Sequence, residues 1–361
     1  MDTWKEFYRG KTVLLTGHTG FKGAWLAEWL LEMGARVVGV SRDIPTKPSL
    51  FEVIGLGKRM EDHREDITDY PVLEKRVGRV QPDIVFHLAA QSLVRYSYEH
   101  PLETCSTNIM GTANLLQALR CLDKPCGAVM VTSDKCYENR ETGYAHEEMD
   151  TLGGHDPYSS SKGAAELVIQ GFRRSFFPGE TGPIRLASAR AGNVIGGGDF
   201  SRDRIFPDCV EALSRNEPIL VRNPGATRPW QHVLEPLSGY LLLACKLYHA
   251  AENGFRISPA YNFGPGPDSN RSVRELVEEI LKHWEGGWKD KSDPEAPHEA
   301  SLLMLSSALA HRELGWSPRW GFSPAVEKSV VWYRQYKEGN FGDLTDLMRE
   351  QIREYASANN P

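Results

Sequence analysis

The turn Thr16-Gly17-His18-Thr19-Gly20-Phe21-Lys22-Gly23 constrains this chain more than any other segment. Its glycines follow a Gly-x-x-Gly-x-x-Gly spacing. Before it, Lys11–Thr16 reads as a strand. After it, Gly20–Met33 reads as a helix, with Trp25, Leu26, Trp29, Leu30 and Met33 at helical intervals. Glycine permits the tight turn and lets a pyrophosphate approach the helix N-terminus, where unpaired N–H groups and the dipole favour anions. Such a turn alone is weak evidence; the strand and the amphipathic helix supply the context that a dinucleotide-binding motif needs. Gly17, His18, Gly20, Phe21, Lys22 and Gly23 are therefore candidate cofactor contacts. Lys22 adds a cation near a phosphate, and His18 is bulky enough to crowd the ligand.

Strand and helix patterns alternate through the rest of the first half. Gly34 ends the first helix, and Arg36–Val40 reads as the next strand. Asp83–His87 and Val129–Thr132 read as buried strands on either side of a helical segment, Thr107–Arg120. This alternation predicts an α/β fold, a doubly wound (Rossmann) parallel sheet, with any ligand crevice along the strand ends. Residues 1–186 are expected to form the dinucleotide-binding domain, with strands near 187–194 and 260–264 returning to it. Residues 195–361, with loops such as Gly196-Gly197-Gly198 and Gly264-Pro265-Gly266-Pro267, are expected to form mainly a smaller substrate-binding lobe. The tail after Tyr336 is polar and compatible with helix, and has no assigned role.

Composition narrows the functional classes. A net charge of −6 and the absence of a Lys/Arg-rich block argue against a nucleic-acid or anionic-membrane partner. The apolar run near Leu237–Leu247 is too short to span a bilayer, and Met1-Asp2-Thr3-Trp4-Lys5 has no apolar signal core. The six cysteines form no Cys-x-x-Cys pair, which suits free thiols in a reducing cytoplasm and argues against a metal site.

The cofactor's ribose is harder to read. An acidic residue at the end of the second strand would hold the diol of NAD. Here the chain has Val40-Ser41-Arg42-Asp43, and Arg42 alone suits a 2′-phosphate. Asp66-Ile67 is a candidate for the adenine.

Chemistry concentrates between Val131 and Lys162. Tyr158 and Lys162 lie four residues apart, on one face of a helix. A nearby ammonium is expected to lower the tyrosine pKa toward working pH, and the same lysine can hold a nicotinamide ribose. Ser133 is placed to share a substrate hydroxyl. Tyr-x-x-x-Lys alone often occurs by chance, on a surface helix; the upstream glycine turn makes hydride transfer the better reading. Asp134-Lys135 adds an acid and an amine, which suggests loss of water after oxidation. Its plain alternative is a surface salt bridge at a strand end.

Taken together, the motifs resemble the extended short-chain dehydrogenase/reductases that act on nucleotide sugars. The resemblance rests on Gly17 to Gly23, His87-Leu88-Ala89-Ala90, Asn108-Ile109-Met110-Gly111-Thr112, Tyr158 to Lys162, and Arg190-Ala191-Gly192-Asn193-Val194-Ile195-Gly196. Arg228-Pro229-Trp230-Gln231-His232-Val233 and Leu314-Gly315-Trp316 extend it over most of the chain. Thr132-Ser133-Asp134-Lys135-Cys136-Tyr137 and Gly196-Gly197-Gly198-Asp199 point to the 4,6-dehydratase group, and within it to the CDP-glucose branch.

The resemblance implies NAD as cofactor, with Leu88, Ala89, Ala90 and Asn108 among its contacts. It implies CDP-D-glucose or a related nucleotide sugar as substrate, and CDP-4-keto-6-deoxy-D-glucose as product, in the service of surface polysaccharide (lipopolysaccharide) synthesis. Tyr158 would take the proton from the 4-hydroxyl. Related dTDP-sugar dehydratases carry Asp-Glu where this chain has Asp134-Lys135, so Lys135 becomes the base at C5 and Asp134 the acid at the 6-hydroxyl. Lys135 must then be neutral and Asp134 protonated; adjacent charges also invite pairing, with a proton shared between them. Asn193, Arg202, Arg204, Arg228 and His298 are candidates for the nucleotide end. A homodimer or homotetramer is implied by analogy. A 4-epimerase or simple oxidoreductase shares the glycine turn and Tyr158/Lys162 but has no use for Asp134-Lys135. A non-catalytic NAD-binding regulator would be expected to have lost Tyr158 or Lys162.

Overall fold

The computed structural model describes residues 6–139, 142–178, 182–201, 204–292 and 303–358. Seven parallel strands form the central sheet: β1 (Thr12–Thr16), β2 (Arg36–Ser41), β3 (Glu61–Arg64), β4 (Ile84–His87), β5 (Cys126–Val131), β6 (Ile184–Ala191) and β7 (Ala260–Phe263). Their order is β7-β6-β5-β4-β1-β2-β3. The order reverses between β1 and β4, so a crevice opens there, outside the strand ends.

The sheet is covered on both faces, as parallel pairing by crossover helices requires. Side chains alternate along each strand. Val13, Leu15, Val37, Phe86, Val129 and Ala187 face one layer; Leu14, Val38, Val85, Ala128, Met130 and Leu186 face the other. The first layer contains α1 (Phe21–Glu32) with Trp25, Leu26, Trp29 and Leu30, and α5 (Leu234–Asn253) with Leu237, Tyr240 and Leu241. The second contains α2 (Tyr70–Val80), α3 (Gly111–Leu119) and α4 (Pro157–Phe176).

Three sequence expectations need correction. The strand expected over 187–194 ends at Ala191; after the Gly192-Asn193 break, Val194–Ile195 pairs with Gln231–His232 in a separate two-stranded sheet. The helix expected over 107–120 begins with a π-turn at Ser106–Met110 and becomes α-helical from Gly111. The tail is helix α6 (Phe341–Ser357), and it has a place: it returns to the first layer, with Arg349 against the buried Glu28 at 2.9 Å and Tyr355 OH donating to Glu235 Oε2 at 2.6 Å.

Candidate functional site

Four segments of the site follow the C-terminal ends of adjacent strands β1, β4, β5 and β6. The glycine turn leaves β1. Gly17 has φ +78°, a conformation that L side chains rarely adopt, and a Cβ there would sit 2.6 Å from Ala89 N. A Cβ on Gly23 would fall 2.0 Å from Gly17 O. Gly20 is the N-cap of α1, and no side chain bonds the cap. The loop is thus packed backbone to backbone, and no capping side chain competes with an anion for the first N–H groups of the helix. These features fit a dinucleotide pyrophosphate.

His18 does not crowd this space, contrary to expectation. Its ring is buried beneath the turn, against Gly39 of β2, where a Cβ would meet it at 2.5 Å. Ser41 Oγ and Nδ1 lie 3.0 Å apart, and Nε2 and Asp62 Oδ1 2.9 Å apart. The side chain pins the loop to β2 and β3. Lys22 is half-buried, and the charges acting on it are Arg204, Asp134 and Lys162; its pKa falls to about 8, chiefly through desolvation. It therefore belongs to the catalytic end of the crevice as well as to the helix start.

Leu88, Ala89 and Ala90 leave β4 beside Gly17, and Thr16 Oγ1 accepts from Ala89 N at 3.2 Å. Asn108 is buried in the π-turn. Its Oδ1 accepts from Gln91 N at 2.8 Å, and its Nδ2 donates to Gln91 O at 3.0 Å and Ser161 Oγ at 2.8 Å. It links the loop after β4 to the helix of Tyr158, so it works through those neighbours. At the other end of the crevice, Arg42 is exposed and faces three carboxylates: Asp43 at 3.0 Å, Glu103 at 3.2 Å and Asp66 at 3.9 Å. Asp66 Oδ1 accepts from Thr68 N and Oγ1, and Ile67 is buried against Gly111.

The catalytic candidates converge past β5. Ser133 caps a single 3₁₀ turn, Asp134–Cys136, by accepting from Lys135 N at 3.2 Å. Its hydroxyl donates to Asp134 Oδ1 at 2.8 Å and lies close enough to Tyr158 to pull the phenol's pKa down. Asp134 is buried and Lys135 half-exposed. Among the described residues the two form no ion pair, so the expected shared proton has no geometry behind it. Asp134 points instead to Gly192, where a Cβ would meet Oδ2 at 2.8 Å.

Tyr158 and Lys162 are buried on α4, which starts with Asp156 as N-cap and Pro157 in its first turn. The tyrosine pKa is not lowered as expected. Burial pushes it up to about 12; the Ser133 hydrogen bond and the Arg204 charge pull it down. Lys162 Nζ stands 6.0 Å from the Tyr158 ring centre, and desolvation brings its own pKa down to about 8.

The nucleotide-end candidates divide. Arg204 pairs with Asp199 at 2.9 Å, and its charge reaches Tyr158 and Lys22. Asn193 is half-buried, one residue past Gly192. Arg228 lies on a short strand paired with Asn270–Ser272, and its Nη1 donates to Thr227 O at 2.9 Å. Arg202 and His298 lie outside the described residues.

Sequence reasoning gave no role to three buried groups beside the site. His87, ending β4, is bonded between Thr16 Oγ1 at 2.7 Å and Thr112 Oγ1 at 3.1 Å; burial and the Lys162 charge lower its pKa to about 3. Glu166 and Arg190 form an ion pair at 2.6 Å, each 1% exposed. The visible signal was their position: a carboxylate one turn after Lys162, and an arginine among the small residues that end a buried strand.

A family model described as GDP-mannose 4,6 dehydratase matches residues 14–329. The chain is 46% identical over 359 residues to a CDP-glucose 4,6-dehydratase of Salmonella typhimurium (strain LT2), covering 98% of each chain. A dTDP-glucose 4,6-dehydratase of Streptomyces antibioticus is 27% identical over 89% of this chain and 92% of the relative. Among solved structures, DesIV, a dTDP-glucose 4,6-dehydratase from Streptomyces venezuelae with NAD and TYD bound, superposes with a TM-score of 0.75 at 23% identity, covering 91% of this chain and 98% of its own. A Thermus thermophilus UDP-glucose 4-epimerase in complex with NAD gives 0.74 at 24% identity, over 90% and 99%. Those two structural likenesses speak to the fold.

Proposed function

This chain belongs to the GDP-mannose 4,6-dehydratase family of nucleotide-sugar enzymes, and we propose that within it the chain dehydrates CDP-D-glucose to CDP-4-keto-6-deoxy-D-glucose. The observation that carries the reading is the Ser133-Asp134-Lys135 turn set against Tyr158, with Ser133 bonded to Asp134 and close enough to Tyr158 to act on its phenol. An epimerase or simple dehydrogenase needs the tyrosine but not an acid and an amine beside it. The choice of CDP-D-glucose rests on the near-full-length likeness to the Salmonella dehydratase.

NAD, when bound, supplies a two-electron acceptor that takes hydride from the sugar C4 and returns it at C6. The Gly17–Gly23 turn would hold its pyrophosphate, and Asp66 and Ile67 would lie toward its adenosine end. The carboxylates of Asp43, Asp66 and Glu103, which engage Arg42, favour NAD over NADP, because a 2′-phosphate would enter among them. Tyr158, as its phenolate, removes the 4-hydroxyl proton, with the Ser133 hydroxyl beside it. Lys162 orients the nicotinamide ribose. The 4-ketone acidifies C5–H; Lys135 removes that proton, and Asp134 protonates the departing 6-hydroxyl. A proton then returns to C5. Asn193, Arg204 and Arg228 face the nucleotide diphosphate, for which guanidinium groups suit paired oxygens. Residues 195–361 form most of the lobe over the sugar nucleotide.

Exposed Leu102 and Met110 before α3, with Leu167 on α4, support self-association. Six free cysteines, four of them buried, support a cytoplasmic setting. Among the described residues no helix is long and apolar enough to cross a membrane.

The test is mass spectrometry of CDP-D-glucose after incubation with the protein and trace NAD. Loss of one water with no net NADH is the expected result. An unchanged mass, with dTDP-, GDP- and UDP-glucose also unchanged, would turn the reading to an epimerase.

A further inference from the structure

One buried carboxylate joins the two halves of the catalytic constellation. Glu166 lies on α4, on the same helix as Tyr158 and Lys162, and its side chain is 1% exposed. Its Oε1 accepts the Thr132 hydroxyl at 2.5 Å. Its Oε2 accepts Ser188 Oγ at 2.9 Å and Arg190 Nη2 at 2.6 Å. Arg190 Nη1 in turn donates to Tyr137 OH at 2.7 Å and to Glu148 O at 2.9 Å. Tyr137 OH donates to Asn262 Oδ1 at 2.8 Å.

Thr132 immediately precedes Ser133-Asp134-Lys135-Cys136, and Tyr137 immediately follows it. Both ends of the turn are therefore tied to α4, one directly and the other through a single guanidinium. Three donors converge on the two carboxylate oxygens, a set that an amide, with donors of its own, cannot satisfy in full. Apolar residues of similar volume would serve stability as well as a buried ion pair does. What the pair adds is direction: it fixes where the turn stands relative to the helix.

We propose that Glu166 is a positioning residue for water elimination. It holds the acid–base turn in register with the Tyr158 helix, so that the sugar oxidised at C4 presents C5 to Lys135 and the 6-hydroxyl to Asp134. The inference rests on the dehydratase reading above. Oxidation depends on groups carried by α4 itself, a 20-residue helix. Elimination depends on one 3₁₀ turn, whose place is set from outside. Releasing the ties thus slows elimination before it slows oxidation.

The experiment mixes holoenzyme with CDP-D-glucose under single-turnover conditions and follows product mass together with the near-ultraviolet absorbance of reduced nicotinamide. Thr132→Val cuts one tie and keeps the Glu166–Arg190 pair; Glu166 Oε1 loses its donor, so the variant is expected to fold with a modestly lower melting temperature. Its dehydration falls roughly tenfold to a hundredfold, the range for a small misplacement of a catalytic group. Reduced nicotinamide accumulates in the variant, because oxidation now outruns elimination. Glu166→Gln gives the same signature more strongly, at a cost in stability from the stranded Arg190. An unchanged rate without accumulation in Thr132→Val overturns the inference. So does an equal loss of both steps, which is what a merely structural role produces. If the parent protein leaves the mass of CDP-D-glucose unchanged, the dehydratase reading has failed first, and the control shows it.

Discussion

The Tyr158 arm and the Asp134 arm of the site meet at Ser133 but are built in opposite ways. Tyr158 and Lys162 project from the first turns of a helix capped by Asp156, and both are buried. Asp134 and Lys135 occupy one 3₁₀ turn past a strand end, the first buried and the second half-exposed. The chemistry common to this fold sits on the rigid element. On the proposed mechanism, the chemistry that would separate a dehydratase from an epimerase sits on the short one. The comparison breaks most visibly at the tyrosine. Tyr158→Phe is expected to lower kcat for dehydration by up to about 10⁴-fold, with no reduced nicotinamide formed at any time. Substantial turnover in this variant would mean that another group takes the 4-hydroxyl proton.

Lys135→Met cuts the other arm. C4 oxidation persists, reduced nicotinamide builds up, and water loss slows about 10²- to 10³-fold. Product mass and absorbance, measured together, separate this pattern from that of Tyr158→Phe. Dehydration at the parent rate would remove Lys135 from the role of base.

The two arms also differ in how far the sequence disclosed them. The glycine turn, β1, α1 and the Tyr158 helix are local patterns, each carrying its own periodicity or cap, and they stand where the residues imply. β3 was not anticipated, because Glu61-Asp62-His63-Arg64 has no apolar alternation; it is an edge strand held by its ladder to β2. The place of α6 was equally hidden, since Arg349 and Tyr355 find Glu28 and Glu235 only through long-range packing. Asp134 and Lys135 were legible as residue types, but not the direction of Asp134 toward Gly192. His18 misled for the same reason: its size is visible in the chain, and its seat against Gly39 is not. The downward shift expected for Tyr158 came from counting one neighbour, Lys162, and leaving out the burial that outweighs it.

Burial has a measurable consequence on the helix arm. The Lys162 pKa is lowered from 10.5 to about 8, chiefly by desolvation. Between those values the folded state binds fewer protons than the unfolded chain, so stability rises with pH across that window. Below about 8 the ammonium carries its full penalty. Lys162→Met should therefore be inactive yet more stable near neutrality, by up to about 3 kcal/mol, and its advantage should shrink as pH rises from 8 toward 10.5. Thermal melts of both proteins across this range test the sign. A variant less stable than the parent at neutral pH would show that Lys162 is compensated by interactions stronger than its desolvation.

Ser133 sharpens the contrast, because it belongs to both arms. Its hydroxyl donates to Asp134 Oδ1 at 2.8 Å, accepts from Lys135 N and acts on the Tyr158 phenol. Ser133→Ala removes hydrogen bonds worth about 1 kcal/mol each, so a loss of roughly tenfold in kcat/KM is expected. Unlike the changes at Tyr158 and Lys135, it should slow oxidation and elimination together, with little accumulation of reduced nicotinamide. The Ser133 bond is one of the influences holding the Tyr158 pKa down, so the tyrosine limb of the pH profile should move to higher pH in the variant. If oxidation alone slows and that limb stays in place, Ser133 serves the substrate hydroxyl rather than the tyrosine, and the two arms are less coupled than their shared serine implies.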